Sequence, residues 1–295
     1  MTDSSGNPSR RTALSLGALA GLAAASPALA NTQNPAAAPS ALNPNGRFQG
    51  KVVAVTGGNS GIGAATVRAF ALEGAKVIFC ARRDALGKSV EAEIRAAGGD
   101  VTWRVADVRD PDQVKDFVDG AVSVYGRLDV LFNNAGIFMT PAALEDIPVE
   151  NYRDMMATNV DGVFYGMKFA LPIMKAQGGG VIVNMASVAA YRGFGNTAHY
   201  NASKHAVIGL TKAAASVSAK QNVRIVSLSP LAVDTPMLKE SFDYQGFTYE
   251  AMAPNFVTPR IMTPHEMAEN VMFLASDAAS SLNGMDLDST GGQLA

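Results

Sequence analysis

The chain has 295 residues, of which 48% are apolar and 17% charged, with 24 Lys and Arg against 26 Asp and Glu. This near-neutral balance without a basic stripe argues against a nucleic-acid binder, whose phosphate contacts need clustered cations. The high apolar fraction excludes a disordered chain. One cysteine, Cys80, and three histidines exclude an intramolecular disulfide and give no basis for a structural metal site, so we expect no metal.

The first thirty residues have the pattern of a cleavable export signal. Arg10 and Arg11 precede an uncharged window, residues 12–46, whose first part is rich in Ala and Gly. Pro27-Ala28-Leu29-Ala30 places small residues where a signal peptidase cuts. The paired arginines resemble a twin-arginine signal, which engages an export machinery that carries folded proteins. We expect a signal peptide over residues 1–30 and a periplasmic protein. An ordinary secretory signal, or an uncleaved tail on a cytoplasmic protein, is the alternative.

Residues 31–46 contain Pro, Ala, Asn and Ser without periodicity, which predicts a flexible linker. Beyond it, short β-branched runs alternate with longer amphipathic stretches, and Gly, Asn or Asp stands at each switch. No second core-forming segment remains, so we expect one domain over residues 47–295.

The alternation predicts an α/β fold, a Rossmann-type doubly wound parallel sheet of about seven strands with helices on both faces. Nearly continuous apolar runs, typical of strands covered on both faces, predict strands at 52–55, 77–79, 101–105, 130–132, 181–183 and 224–228. Helical spacing predicts helices at 61–72, 85–97, 111–125, 152–175 and 198–219. Ligands of such folds bind at the carboxyl ends of the strands.

A glycine-rich turn directly follows the first predicted strand and opens the first predicted helix. Glycines allow a tight turn and let a pyrophosphate approach the N–H groups at a helix N-terminus. A purely structural turn is the alternative, but the position inside a βαβ unit favours a dinucleotide site. The candidate cofactor-binding residues here are Gly57, Asn59, Ser60, Gly61, Ile62 and Gly63.

Two arginines, Arg82 and Arg83, follow the second strand, where an NAD site would place Asp or Glu against the ribose hydroxyls. Guanidinium groups suit a ribose phosphate, so we favour NADP(H) over NAD(H). Alternatively, both arginines only solvate a helix start. After the third strand come Asp107 and Val108; Asp107 could accept a hydrogen bond from the adenine amino group or cap the next helix.

Tyr200 and Lys204 lie one helical turn apart on the same face of a predicted helix. Ser187 follows the fifth strand, and Asn133-Asn134-Ala135-Gly136 follows the fourth. All of these lie at the carboxyl ends of strands or beside them. Together with the glycine turn, in this order and spacing, the motifs resemble the classical short-chain dehydrogenases/reductases over about residues 47–295.

The resemblance implies an NAD(P)(H)-dependent oxidoreductase that transfers hydride between nicotinamide and a secondary alcohol or ketone. It implies that Tyr200 is the general acid/base, that Lys204 lowers its pKa and holds the nicotinamide ribose, and that Ser187 binds the substrate oxygen. It further implies a proton relay through Asn159 and a homo-oligomer, a tetramer or a dimer. Besides Tyr200 and Lys204, the cofactor contacts that it implies come from Asn134, Ala135, Gly136, Val233 and Thr235.

The chain departs from the family pattern in three places. Pro230-Leu231 replaces the usual Pro-Gly, and Ser289-Thr290-Gly291-Gly292 replaces V-D-G-G. His199, directly before Tyr200, stands where small residues are common; we expect a surface histidine, with a position at the substrate mouth as the alternative.

The segment at residues 237–262 corresponds to the family's mobile lid. Its aromatic residues indicate either an apolar, ring-bearing substrate or packing within the lid or a subunit interface. A catalytically silent cofactor-binding sensor or scaffold is the alternative function, but such proteins usually lose the Tyr or the Lys.

Overall fold

The computed structural model describes residues 40–295. The expected signal peptide and most of the expected linker lie outside the described residues. The chain contacts the domain before residue 47, because the Leu42 N–H donates to the Ala97 carbonyl and the Asn43 N–H to the Leu72 carbonyl. Within residues 40–295, no helix combines the length and apolar character that a bilayer crossing requires.

Seven parallel strands form one sheet in the order β3-β2-β1-β4-β5-β6-β7. They are β1 (Val52–Thr56), β2 (Lys76–Ala81), β3 (Asp100–Val105), β4 (Val130–Asn133), β5 (Gly180–Met185), β6 (Val223–Pro230) and β7 (Asp286–Ser289). The strand order reverses between β1 and β4, which opens a crevice at their carboxyl ends. This confirms the Rossmann-type sheet and all six expected strands.

Helices cover both faces of the sheet. They are α1 (Gly61–Leu72), α2 (Asp84–Ala96), α3 (Pro111–Tyr125), α4 (Val149–Met156), α5 (Gly162–Ala176), α6 (Ala198–Ser218), α7 (Pro236–Gln245), α8 (Tyr249–Met252) and α9 (Pro264–Ala275). One core packs under α1, α2 and α9, and the other under α3, α5 and α6. Val53 and Val55 enter the first core and Val52 and Ala54 the second, so the first four residues of β1 are apolar on both faces of the sheet.

The helix expected at residues 152–175 is in fact two helices joined by a π-helical turn, Ala157–Asp161. Such a turn inserts a residue into the α-helical repeat and is common at functional sites. Asn159 lies at its centre, with 1% of its surface exposed. The insertion leaves the apolar pattern of the flanking helices intact, which is why the sequence did not reveal it.

A ladder of buried polar side chains joins β4, β5 and α6. The Asn133 amide donates to Asn184 Oδ1 at 2.9 Å, and the Asn184 amide donates to Thr211 Oγ1 at 2.9 Å. Because all three side chains are buried, losing one partner would leave unpaired polar atoms in the core. The ladder therefore fixes α6, the helix that carries Tyr200 and Lys204, against the centre of the sheet.

His199 is buried, so the expectation of a surface histidine was wrong. Only 1% of its surface is exposed, and neither ring nitrogen has a hydrogen-bond partner among residues 40–295. It lies one turn before Ser203, on the stripe of α6 that faces the interior. Burial lowers the pKa of the His199 imidazole and keeps the ring neutral.

The variant His199→Leu should lose less free energy of unfolding than the wild type when the pH is lowered from 7.5 to 5.5. In the wild type, the unfolded chain takes up a proton near the ordinary histidine pKa of ~6.5, while the buried ring takes one up only at lower pH, so stability falls as pH falls. Denaturant unfolding at both pH values measures this loss. His205→Gln, on the exposed side of α6, is the control. Equal losses in the wild type and His199→Leu would contradict the explanation.

Candidate active site

The glycine turn is folded too tightly for side chains at its key positions. Gly57 and Gly61 have left-handed backbone angles, with φ of 67° and 52°. A Cβ on Gly57 would lie 2.9 Å from Ala135 Cα, and one on Gly63 would overlap the Gly57 carbonyl. Ser60 precedes α1 without a capping hydrogen bond from its side chain, so the helix N-terminus suits a phosphate group.

Thr56 links the two strands at the switch point, a role that the sequence analysis missed. Its Oγ1 accepts hydrogen bonds from the N–H groups of Asn134 and Ala135, both at 3.0 Å. In return, the Asn134 amide donates to the carbonyls of Thr56 and Gly57, at 3.0 and 3.2 Å. The two candidate cofactor segments therefore form one hydrogen-bonded unit.

Arg83 lies against the glycine turn. Its Nη2 donates to Ser60 Oγ at 2.8 Å, while the Asn59 amide donates to the Arg83 carbonyl at 3.1 Å. Arg82 is exposed beside it. The first acidic residue after β2, Asp84, accepts from the Trp103 indole at 2.8 Å and pairs with Lys88 at 2.7 Å. This end of β2 therefore presents two guanidinium groups, and its nearest carboxylate in sequence is already engaged.

Asp107 and Val108 lie at the edge of the same crevice. Burial acts to raise the pKa of Asp107, but the Arg109 guanidinium at 2.7 Å holds it below its ordinary value. Asp107 is thus an ionised acceptor that is already shared with Arg109. Val108 is buried against Gly162, where a Cβ would lie 2.9 Å from the valine Cβ.

Tyr200 and Ser187 come together from α6 and from the end of β5. Burial raises the pKa of the Tyr200 phenol, and the interaction with the Ser187 hydroxyl offsets part of that rise. Ser187 also caps a 3-10 turn, Val188–Ala190, by accepting from the Ala189 N–H at 3.2 Å. The Phe138 ring packs edge-on to the Tyr200 ring, with 5.2 Å between centroids.

Lys204 is buried beside Tyr200, with its Nζ 5.6 Å from the centroid of the tyrosine ring. The Nζ donates to the Met185 carbonyl at 3.0 Å. Burial lowers the pKa of Lys204 to about 8. The resemblance implied a lowered pKa for Tyr200; in this structure the pKa of Tyr200 is raised, because burial outweighs the stabilisation of phenolate by its surroundings.

Asn159 acts on the site through the backbone of Ile137. The Ile137 N–H donates to Asn159 Oδ1 at 2.8 Å, and Asn159 Nδ2 donates back to the Ile137 carbonyl at 3.0 Å. The same amide reaches Ser203 Oγ on α6 at 3.2 Å. A Cβ on Gly136 would lie 3.3 Å from Asn159 Oδ1 and 3.8 Å from the Nζ of Lys204, so these groups share one small space.

Val233 and Thr235 lie after β6, and Thr235 faces the glycine turn. Val233 pairs with Met262 in an isolated bridge. Thr235 Oγ1 accepts from the Leu238 N–H at 3.2 Å, and its methyl carbon would lie 3.1 Å from a Cβ on Gly61. Leu231, in place of the usual glycine, does not prevent this arrangement.

The lid comprises α7, α8 and a 3-10 turn, Ala253–Asn255. Its aromatic side chains partly pack on one another, since the Phe242 ring contacts the rings of Phe247 and Tyr249 edge-on. The Tyr249 hydroxyl donates to Asp234 Oδ1 at 3.0 Å, which ties the lid to the loop after β6.

The structure thus brings together Tyr200, Ser187, Lys204 and Asn159 on one side of the crevice and the glycine turn on the other. In the part of the chain that the structure describes, no cluster of three or more His, Cys, Asp or Glu could hold a metal ion. Sequence reasoning missed Thr56, Phe138 and the Met185 carbonyl, since backbone acceptors and apolar loop residues leave no motif.

Comparisons with known proteins agree with this fold. The family model described as short chain dehydrogenase matches residues 51–246. The chain is 37% identical to a cyclohexanol dehydrogenase of Acinetobacter sp., over 81% of this chain and 92% of that protein. It is 36% identical to a levodione reductase of Leifsonia aquatica, with 86% and 97% coverage.

A third relative is a 2,5-dichloro-2,5-cyclohexadiene-1,4-diol dehydrogenase of Sphingobium indicum, which is 38% identical over 83% of this chain and 97% of that protein. A crystal structure of levodione reductase superposes with a TM-score of 0.81 at 35% identity, and covers 84% of this chain and 98% of that one. The chain therefore belongs to the short chain dehydrogenase family of oxidoreductases.

Proposed function

We propose that this protein interconverts a secondary alcohol and a ketone with NADP(H), and that Tyr200 is the general acid/base. The observation that carries the proposal is the meeting of Ser187 and Lys204 at the Tyr200 phenol, beside the glycine turn. A phenol in that position can give a proton to a carbonyl oxygen or take one from an alcohol.

Ser187 and Lys204 prepare the phenol in different ways. The Ser187 hydroxyl favours phenolate through its interaction with the Tyr200 phenol, and it would donate a hydrogen bond to the substrate oxygen. Lys204, with a pKa of about 8, remains mostly protonated at neutral pH and puts a cation 5.6 Å from the ring centroid. Asn159 binds the backbone of Ile137 and the hydroxyl of Ser203. It thereby positions the loop and the helix on either side of Tyr200 and Lys204, and in this way would support the proton relay.

The residues of the crevice fit a dinucleotide. The pyrophosphate would be held at the N-terminus of α1, with Gly57, Asn59 and the Ser60–Gly63 turn around it and Thr235 opposite. Asn134, Ala135, Gly136 and Val233 would line the nicotinamide side. When bound, the nicotinamide supplies or accepts the hydride.

Tyr200→Phe should lower kcat/KM about 10²- to 10⁴-fold, because it removes the proton donor and leaves the ring in place. In the wild type, kcat/KM for alcohol oxidation should rise on the alkaline side of neutrality, since burial keeps the phenol protonated at pH 7. Carbonyl reduction should be flat through neutral pH and fall at high pH. Steady-state rates across pH 6–10 measure both; unchanged activity in Tyr200→Phe would refute the assignment.

We infer a preference for NADP(H) from the two guanidinium groups at the end of β2. Arg83 is anchored on Ser60 at the glycine turn, and Arg82 stands next to it. Because Asp84 is engaged with Trp103 and Lys88, it is poorly placed to accept from ribose hydroxyls. A ribose phosphate would find two charge-assisted donors here.

The variant Arg82→Ser/Arg83→Ser should lower kcat/KM for NADP(H) about 10- to 100-fold and that for NAD(H) by about threefold or less. Arg83 also supports the glycine turn through Ser60, so the ratio of the two values is the informative quantity. Lys175→Ala, an exposed cation in the last turn of α5, is the control. Equal losses with both cofactors would contradict the inferred preference.

The substrate class that we favour is a ring-bearing alcohol or ketone. Two relatives carry names of six-membered ring substrates, cyclohexanol and a cyclohexadiene diol. The apolar side chains Phe138, Phe247 and Tyr244 stand partly exposed in the β4–α4 loop and the lid, which agrees with such a molecule.

We also propose a homo-oligomer, a tetramer or a dimer. Large apolar side chains are exposed along one stretch of the chain, at Leu144, Val149, Tyr152 and Phe164. Such a concentration on α4, on α5 and on the turn before α4 suits a subunit interface. A monomeric mass by light scattering would refute this proposal.

Finally, we propose that the protein is exported to the periplasm by the twin-arginine route. The support is the sequence of residues 1–30, and this route would let the protein leave folded with its dinucleotide bound. Replacing Arg10 and Arg11 with Lys should retain the enzyme in the cytoplasm of the producing bacterium. Cell fractionation measures the distribution, and continued export of the variant would contradict the route.

A further inference from the structure

We propose that Phe138 is a specificity-determining residue, which makes the site prefer ring-bearing alcohols and ketones to open-chain ones of the same carbon number. The inference rests on the proposed function, since it concerns the molecule that Tyr200 and Ser187 would bind. Four observations carry it: the anchor behind Phe138, its contact with Tyr200, the lid beyond it and its partial exposure.

The backbone before Phe138 is fixed from both sides. The preceding residue, Ile137, exchanges two hydrogen bonds with the Asn159 side chain, at 2.8 and 3.0 Å. Asn159 is itself buried in the π-helical turn and also contacts Ser203 on α6. The backbone at Phe138 is therefore held in a fixed position, although Phe138 belongs to a loop.

The Phe138 ring stands directly beside the acid/base. Its centroid is 5.2 Å from that of Tyr200, and the two planes make an angle of 71°. This edge-to-face geometry is a favourable one for aromatic pairs and restrains both rings. Phe138 is only partly buried, so part of its apolar surface remains available to a molecule that approaches the Tyr200 hydroxyl.

The same loop continues to the lid. Two residues after Phe138, the Thr140 hydroxyl approaches the Tyr244 hydroxyl of α7, which also binds the Glu240 carboxylate at 2.7 Å. Residues 137–140 thus extend from Asn159, past Tyr200, to the lid. A substrate held between Tyr200 and the lid has this segment as its side wall, with Phe138 as the aromatic member.

A fixed aromatic wall discriminates between ring and chain. A six-membered ring is rigid and can lay its apolar surface on Phe138 without losing internal rotations. An open chain of six carbons has to freeze several rotations to make the same contact, and each one opposes binding. The wall therefore adds more to the binding of the ring than to that of the chain.

The first test compares kcat/KM for cyclohexanol and 2-hexanol. In Phe138→Leu, the ratio that favours cyclohexanol should fall about three- to tenfold, through a higher KM for cyclohexanol. Phe138→Tyr keeps the ring and should retain the ratio within about twofold, and Phe273→Leu, an exposed position on α9, should not change it. A ratio that stays at the wild-type value in Phe138→Leu would overturn the proposal.

A second test measures binding without turnover. Cyclohexanone is titrated by calorimetry into the full chain saturated with NADP+, a pair that cannot react. Phe138→Leu should bind several-fold more weakly than the wild type, and Phe273→Leu should bind equally well. Equal affinity in all three proteins would overturn the role of Phe138. Weaker binding by Phe138→Leu, in a protein that turns over no alcohol, would instead contradict the proposed function and support the role of Phe138 in binding the ring.

Discussion

One hydroxyl group, that of Thr56, joins the two halves of the carboxyl edge on which the rest of the site depends. It accepts hydrogen bonds from two backbone N–H groups just after β4, and the Asn134 side-chain amide donates two hydrogen bonds to backbone carbonyls at the end of β1. Four hydrogen bonds at a partly buried strand switch leave little freedom between the halves. The crevice therefore has a fixed width, and no Cβ fits at Gly57 or Gly63.

The hydrogen bonds between the ends of β1 and β4 also determine where residues further along the chain lie. Once Asn134 is fixed, Gly136 falls beside both the Asn159 oxygen and the Lys204 ammonium. Asn159 then fixes Ile137, and Phe138 meets Tyr200. Tyr200 and Lys204 are thus positioned from two directions, by the polar ladder under α6 and by this loop. A site supported from two sides can hold its geometry within the tolerance that proton transfer needs.

The sequence predicted the alternating strands and helices and the residues that belong to recognisable motifs. All six apolar runs became strands, and the glycine turn, Tyr200 and Lys204 lie where the resemblance placed them. About seven strands were expected, but the sequence did not locate β7, because Asp286 and Asp288 break the apolar pattern of a strand that pairs only with β6. The π-helical turn and the burial of His199 were also missed, since both depend on the helices that pack around them. Residue type alone does not show which side of α6 faces the interior at its first turn.

The aromatic residues of the lid left two interpretations open, a ring-bearing substrate or packing within the lid or a subunit interface. In the structure, the Phe242 ring packs edge-to-face with the rings of Phe247 and Tyr249, which favours packing within the lid for these residues. Side chains that pack on one another offer less of their apolar surface to a bound molecule. Phe138 differs in that its backbone is tied to Asn159 and its ring to Tyr200. A preference between a ring and an open chain needs a rigid wall, and of these aromatic residues Phe138 is the one that packs directly on Tyr200.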